Sequence, residues 1–351
     1  MRAPRVTPAA ALFVCLLLCI RSSLCGGLLG ANIVCARGLT ERQRAMCHAA
    51  PAAVATLGNG LSMAYAECRA QLAGRRWNCS GVGDDPRVGH VLPLATREAA
   101  FTYAITAAGV THALSEACAR GDLPACTCTT KRRRYTGTAE QFEWEGCGDA
   151  SFGARFARRF LDARELEADA RSAMNLHNNR VGRKVSEVVK EMVRNECKCH
   201  GVSGSCAVRT CWKTLPPFRA VGAALKERLR RAKHVVAEHD FRGLHSRAVS
   251  MRHPRLVVRR TGKPPRKSEL VFLQKSPQYC EPDAAIGSHG THGRHCNRTS
   301  KGEDGCETLC CGRGYNTVQL VQESKCRCQF HWCCSVSCDT CITKTELHVC
   351  N

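Results

Sequence analysis

The sequence predicts two unlike parts. A mainly α-helical N-terminal part carries disulfide-closed hairpins, and a small cysteine-rich C-terminal part is built from short strands, hairpins and loops. Three observations carry this. Helix-compatible patterning extends from about Ala31 to Leu229, where cysteines are fairly sparse. The last 72 residues hold 12 of the 27 cysteines and show little helical periodicity, so crosslinks must restrict a segment too small to build a large core. Between the two, Arg219–Lys267 carries 15 Lys and Arg against three acidic residues, and its "RRTGKPPRK" breaks any regular element. These features divide the chain into a leader at 1–25, a helical domain at 26–240, a basic linker at 241–274 and a cysteine-rich domain at 275–351.

The leader reads as a secretory signal. Arg2 and Arg5 form a basic start, and Ala9–Ile20 is an apolar run too short to span a bilayer. Small residues at Ser23 and Cys25 place cleavage near Gly26. In the helical domain, Leu61, Tyr65, Cys68 and Leu72 follow helical spacing. Ala95–Cys118 is rich in alanine, and Phe152, Phe156 and Phe160 recur every four residues. Strong helix formers continue from Leu161 to Val193. Several long helices packed as a bundle satisfy this pattern.

Charge and cysteines set the environment. The formal charge is +22, and losing Arg2, Arg5 and Arg21 with the leader leaves +19. A secreted chain this basic meets polyanions outside the cell, heparan sulfate rather than nucleic acid. The basic charge clusters in the linker and at Lys131–Arg134, "KRRR". Of the 27 cysteines, Cys15, Cys19 and Cys25 leave with the leader, and the even remainder reads as disulfides. Zinc is the rival reading for Cys-Lys-Cys and Cys-Arg-Cys, but the spacings of metal fingers are absent. Asn78-Cys79-Ser80 and Asn297-Arg298-Thr299 are glycosylation acceptors and are expected to be exposed.

The stretch "ECKCHGVSGSCAVRTCW", 196–212, concentrates four cysteines around a loop almost without bulk. Pairing Cys199 with Cys206 inside and Cys197 with Cys211 outside closes it twice. Gly201 and Gly204 permit tight turns. The result is a stiff stalk with Ser203 at its tip, suited to presenting a serine to a modifying enzyme. Near the other end, "CRCQFHWCC" sets Phe330 and Trp332 at a hairpin tip as interface anchors; the alternative is internal packing against the disulfides.

"ECKCHGVSGSC" resembles the signature of the Wnt family of secreted signalling proteins. "RRWNCS", "REAAFTYAITAAGV", "MNLHNN", "CCGRGYN" and "FHWCC" are similar to further Wnt segments, so the resemblance covers essentially the whole mature chain. Its details look nearest to subgroup seven. The resemblance implies the Wnt fold and a palmitoleoyl ester on Ser203, attached by Porcupine, with Ser205 the alternative acceptor. It implies a lipidated thumb, with Val202 and Gly204 flanking Ser203, that enters a groove on the cysteine-rich domain of Frizzled receptors. It also implies an index-finger hairpin at 326–341 gripping that domain through Gln329, Phe330, His331 and Trp332. The implied disulfides are Cys68–Cys79, Cys118–Cys126, Cys128–Cys147, Cys280–Cys311, Cys296–Cys306, Cys310–Cys350, Cys326–Cys341, Cys328–Cys338 and Cys333–Cys334, besides the two thumb pairs. Cys35 and Cys47 then pair by elimination.

Further implied partners are a low-density-lipoprotein-receptor-related co-receptor, Wntless during secretion and heparan sulfate proteoglycans. Localisation to the extracellular space and matrix is expected, with no cofactor beyond the covalent lipid and N-glycans. A hydrolase built on Ser203 and His200 lacks the strand–turn–helix elbow and a positioned acid, so no enzyme is expected. An unlipidated heparin-binding matrix protein is the other reading, distinguished by intact mass and detergent partition.

Overall fold

The computed structural model describes residues 35, 39–82, 94–124, 126, 150–164, 169–190, 194–206, 209–214, 216–238, 254–333 and 335–351. The leader, the Lys131–Arg134 cluster and the Cys128–Cys147 pair lie outside them. Among the described residues no helix is long and apolar enough to cross a membrane. The chain separates into two compact units, with boundaries at Cys68/Arg69, Gly81/Val82 and Ser276/Pro277.

In the first unit, helices α1 (Glu41–Ala49), α2 (Pro51–Leu72, as far as Cys68), α3 (Arg97–Arg120), α4 (Ala150–Leu161), α5 (Ala170–Lys190) and α6 (Phe218–Arg230) are the main elements. Helix α3 is buried on all sides from Ala99 to Ser115, which explains its alanine-rich sequence. Two of its buried threonines bond back within the helix: Thr102 donates to the Glu98 carbonyl at 2.9 Å and Thr111 to that of Ala107 at 2.7 Å. Neighbouring backbones come close to it. A Cβ on Gly60 of α2 would lie 2.8 Å from the Gly109 carbonyl oxygen, and one on Gly182 of α5 would collide with the Ala104 carbonyl. Val54, Leu57, Val110, Leu114, Phe160 and Leu161 belong to one apolar core cluster of this unit.

Helix α1 begins in a capping box between Thr40 and Gln43. The buried Gln43 carboxamide also donates to the Phe160 carbonyl at 2.8 Å, tying α1 to α4. The helix formers from Leu161 to Val193 do not make one helix. Helix α4 ends at Leu161, a 3₁₀ turn covers Asp162–Arg164, and α5 starts at Ala170. Asp162 leaves the helical path to receive both arms of Arg183, at 2.9 and 3.0 Å, while Asp169 caps α5 by accepting from the Ser172 amide at 2.7 Å.

The linker expectation needs correction. Residues 254–276 belong to the first unit. Strand β4 (Arg255–Val258) pairs antiparallel with β3 (Lys233–Glu238), and β5 (Val271–Phe272) pairs with β3 in parallel. The "MNLHNN" stretch of α5 holds this sheet. Asn178 donates to the Val271 carbonyl and accepts from its amide, both at 3.0 Å, and His177 contacts the Glu269 carbonyl at 2.9 Å. Leu256, Val257, Leu270 and Val271 are buried, so the apolar residues among the basic ones decide the segment's place. Its cations remain outside, at the exposed turn of Arg259, Arg260 and Lys263.

The second unit corrects the other boundary. Residues 69–81, assigned above to the helical domain, pack with 277–351. Arg294 donates to three carbonyls of this segment, those of Ala73, Arg75 and Arg76, at 2.6 to 2.8 Å. Arg75 pairs with Glu303 at 2.6 Å, and Trp77 lies 6.4 Å from Tyr279. Beyond the short pieces β6 (Pro282–Asp283), β7 (Ser288–His289), β8 (His295–Cys296) and α7 (Cys306–Leu309), the unit is dominated by one long antiparallel hairpin. It comprises β9 (Tyr315–His331) and β10 (Ser335–Cys350), with β8 on the outer side of β10.

Two outcomes test these contacts. Gly182→Ala places a methyl against the Ala104 carbonyl and forces α5 from α3; we expect a loss of about 1–3 kcal/mol, read from the denaturant midpoint of the secreted protein. Burial pushes the His177 imidazole below its ordinary value, with Arg180 adding to the effect and the Glu269 carbonyl opposing it. A histidine held neutral in the fold gives its full stability above the unfolded value of about 6.5 and loses it as pH falls through the depressed folded value. His177→Gln should therefore flatten the fall in unfolding midpoint between pH 7.5 and pH 5, while wild type keeps the steeper fall.

Candidate functional site

The thumb is a two-stranded ladder. Strand β1 (Arg194–Cys199) pairs antiparallel with β2 (Arg209–Thr214), and Cys197 stands opposite Cys211. Cys197 is disulfide-bonded, and the Cys211 side chain lies outside the described residues. Cys199 and Cys206 close the loop as a disulfide with Cα atoms 4.6 Å apart. Inside it the Gly201 amide donates to the Ser205 carbonyl and the Gly204 amide to the Gly201 carbonyl, both at 2.9 Å, around a 3₁₀ turn at Val202–Gly204.

The two serines of this loop are not equivalent. Ser205 Oγ folds back into the space that a Cβ on Gly201 would occupy, so Gly201 must be glycine and Ser205 faces its own loop. Ser203 is exposed at the tip and holds a left-handed backbone, φ 57° and ψ 26°. That conformation costs a side-chain-bearing residue roughly 1–2 kcal/mol. Gly204 follows with φ 78°, open on the side where a Cβ would point.

The aromatic tip belongs to the long hairpin of the second unit. His331 pairs with Ser335, and Trp332 and Cys333 lie in the turn between them. The disulfides Cys326–Cys341 and Cys328–Cys338 staple the strands below it. An extra residue in β9 opposite Ser337–Asp339, with Arg327 at φ 47°, makes a β-bulge between the staples. Trp332 is 94% exposed and Phe330 71%, which excludes internal packing against the disulfides. Val336, the cross-strand partner of Phe330, extends the apolar tip and escaped the sequence reading because it follows the cysteine pair. His331 is fixed by Ser337 at 2.8 Å, and Gln329 pairs with Ser337 across the ladder. The Cys333–Cys334 pair lies partly outside the described residues, at Cys334.

The remaining disulfides staple each unit. Cys35–Cys47 and Cys118–Cys126 lie in the first, and Cys280–Cys311, Cys296–Cys306 and Cys310–Cys350 in the second. Cys68 and Cys79 are each disulfide-bonded. The Cys296, Cys310 and Cys350 sulfurs gather within 4.8 Å, but all three are oxidised in disulfides and offer no thiolate to a metal. At the glycosylation acceptors, Asn297 is exposed and accepts from both the amide and the hydroxyl of Thr299, at 3.0 and 2.9 Å. Asn78 differs from expectation. It is half-buried, with its carboxamide oxygen accepting from the Ser80 amide, because the buried Cys79 beside it draws the turn inward.

Comparison with known proteins places these features. The family model described as wnt family matches residues 35–351. The chain is 48% identical over 330 residues to Protein Wnt-2 of Drosophila melanogaster, covering 91% of this chain and 92% of the relative. Among solved structures it resembles WNT8A in the complex of human WLS with WNT8A, at a TM-score of 0.55 and 32% identity, covering 85% of this chain and 94% of that one. The helical first unit, the disulfide framework and the strand-rich second unit are shared architecture, and the chain belongs to the Wnt family of secreted signalling ligands.

Proposed function

We propose that the protein signals by docking two exposed tips on a Frizzled receptor: an acylated Ser203 on the thumb and the Phe330–Trp332 apex of the long hairpin. The single observation that carries this reading is Ser203, an exposed hydroxyl at a left-handed position on a disulfide-closed turn. Porcupine would esterify it with a palmitoleoyl chain. At roughly 0.8 kcal/mol per buried methylene, such a chain offers on the order of 10 kcal/mol before the costs of association. No side chain of the loop approaches that. One acyl chain also anchors only marginally to a membrane, so the ligand needs a carrier yet can leave it.

Likeness to WNT8A, solved with WLS, supports a Wntless-type carrier during secretion. The net charge of the secreted chain, +19 once the leader is lost, supports retention on heparan sulfate proteoglycans in the matrix, and a low-density-lipoprotein-receptor-related co-receptor would complete the signalling assembly. The protein acts as a ligand and performs no chemistry of its own. Asn78 and Asn297 would carry its N-glycans.

Ser203→Ala should remove the acyl group from the thumb peptide and abolish receptor signalling while the chain is still made and folded. Ser203→Gly should do the same and stabilise the turn by about 1 kcal/mol, because glycine adopts the left-handed backbone without the Cβ clash. Mass spectrometry of the thumb peptide and a reporter assay decide it; the acyl group on Ser205, or full signalling without acylation, contradicts the reading.

Trp332→Ala and Phe330→Ala should leave acylation intact and weaken binding to the Frizzled cysteine-rich domain by about thirtyfold, the scale of a rigid aromatic anchor worth roughly 2 kcal/mol. Both side chains are exposed, so folding should be unaffected. Affinities of acylated wild type and variants against several Frizzled domains test this, and unchanged binding to all of them places the second contact elsewhere.

A further inference from the structure

The first unit contains a cleft of about 480 Å³ whose charged lining has no part in the thumb. Helix α4 sends Arg155, Arg158 and Arg159 to it, α5 sends Arg180 and Arg183, and α1 sends Arg42. The cause is the amphipathic register of α4. Phe156 and Phe160 stack face to face at 6.5 Å on the inner side, with Phe160 fully buried, so the intervening arginines must turn outward. Asp162, the one carboxylate among the described lining residues, is already taken by Arg183 and Asn179. Arg42, Arg158, Arg159 and Arg180 are exposed and have no carboxylate partner among the described residues.

Convergence of like charge from three helices opposes packing unless something offsets it. Every cation here is an arginine, whose planar fork suits sulfate and phosphate oxygens better than a lysine point charge does. The half-buried Leu176 adds an apolar contact to the wall. The volume falls within the roughly 300–1,000 Å³ of small-ligand sites. We propose that this cleft binds a short, highly sulfated segment of an extracellular glycan. The fixed Arg183–Asp162 pair forms the base, and Arg42, Arg158, Arg159 and Arg180 grip sulfates at the rim. The proposal rests on the reading of the protein as a ligand of extracellular polyanions, and it assigns that binding to one structured site, not to the basic clusters outside it.

The test uses the full-length secreted protein in detergent and a heparin-derived tetrasaccharide. Two triple variants lose the same charge: Arg158→Gln, Arg159→Gln and Arg180→Gln in the cleft, and Arg259→Gln, Arg260→Gln and Lys263→Gln in the exposed turn after β4. All six side chains are exposed, and unfolding midpoints confirm that both variants fold. We expect the cleft variant to lose tetrasaccharide affinity at least tenfold and to bind with a shallower salt dependence, as fewer counterions are released on binding. The turn variant should stay within about threefold of wild type. Desulfated tetrasaccharide and inorganic phosphate should not compete. Equal losses in the two variants, or undiminished binding by the cleft variant, overturn the site and leave polyanion binding to diffuse charge. Displacement by the desulfated sugar overturns sulfate recognition, displacement by phosphate alone shows a simple oxyanion hole, and failure of wild type to bind heparin at all removes the parent reading as well. Receptor affinity and acylation should be unchanged in the cleft variant.

Discussion

Helix α3 passes through the middle of the helical unit with no face toward water from Ala99 to Ser115, and the surrounding helices are placed by that fact. A helix buried on every side must be narrow, which its alanines and Gly109 provide, and its neighbours must present notches where they cross it, as Gly60 and Gly182 do. Close crossings leave little room for side-chain adjustment, so positions fixed here carry outward. Helix α5, seated on α3 at Gly182, presents Asn178 and His177 to the edge strand at Val271 and Glu269. The same helix presents Arg183 to Asp162 and so fixes the turn that ends α4. One crossing thus orders the bundle, a three-stranded sheet and the wall of the arginine cleft.

The two exposed tips use a different solution. The long hairpin packs on almost nothing along its length; nearly every residue of β9 is exposed. A lone hairpin is marginal in water. Disulfides, Cys199–Cys206 closing the loop of the thumb and Cys326–Cys341 with Cys328–Cys338 joining the strands of the long hairpin, restrain both. Apolar and reactive groups can then be held away from the body of each unit without being drawn in. A tip ordered in advance loses little further freedom on binding, which suits a ligand whose activity is recognition.

Much of the site was legible because it is local. Cys197 to Cys211 encloses a loop of glycines and serines, and the spacing alone indicates a closed turn with Ser203 central. In three dimensions the two exposed serines differ, Ser205 Oγ lying in the space beside Gly201 and Ser203 at the tip of the turn. Phe330 and Trp332 stand out in the sequence, but their exposure does not, since aromatics beside cysteines also pack inward. Val336 gave no signal, because its role comes from cross-strand register with Phe330.

Composition, helical periodicity and cysteine spacing by themselves determined the two-part architecture, the secreted and crosslinked character of the chain and the two hairpins, since each is a property of neighbouring residues. Tertiary structure alone decided where the parts divide. Residues 69–81 read as an ordinary continuation of a helical domain, yet three carbonyls directed at Arg294 assign them to the second unit. Residues 254–274 read as part of a charged linker, yet four buried aliphatic residues and two hydrogen bonds with Asn178, one donated and one accepted, assign them to the first. The arginine cleft is likewise invisible along the chain, because it gathers residues from 42 to 183. Free energy from such contacts depends on groups more than a hundred residues apart, and sequence pattern carries no information on which distant partner a backbone carbonyl, an asparagine or an arginine will find.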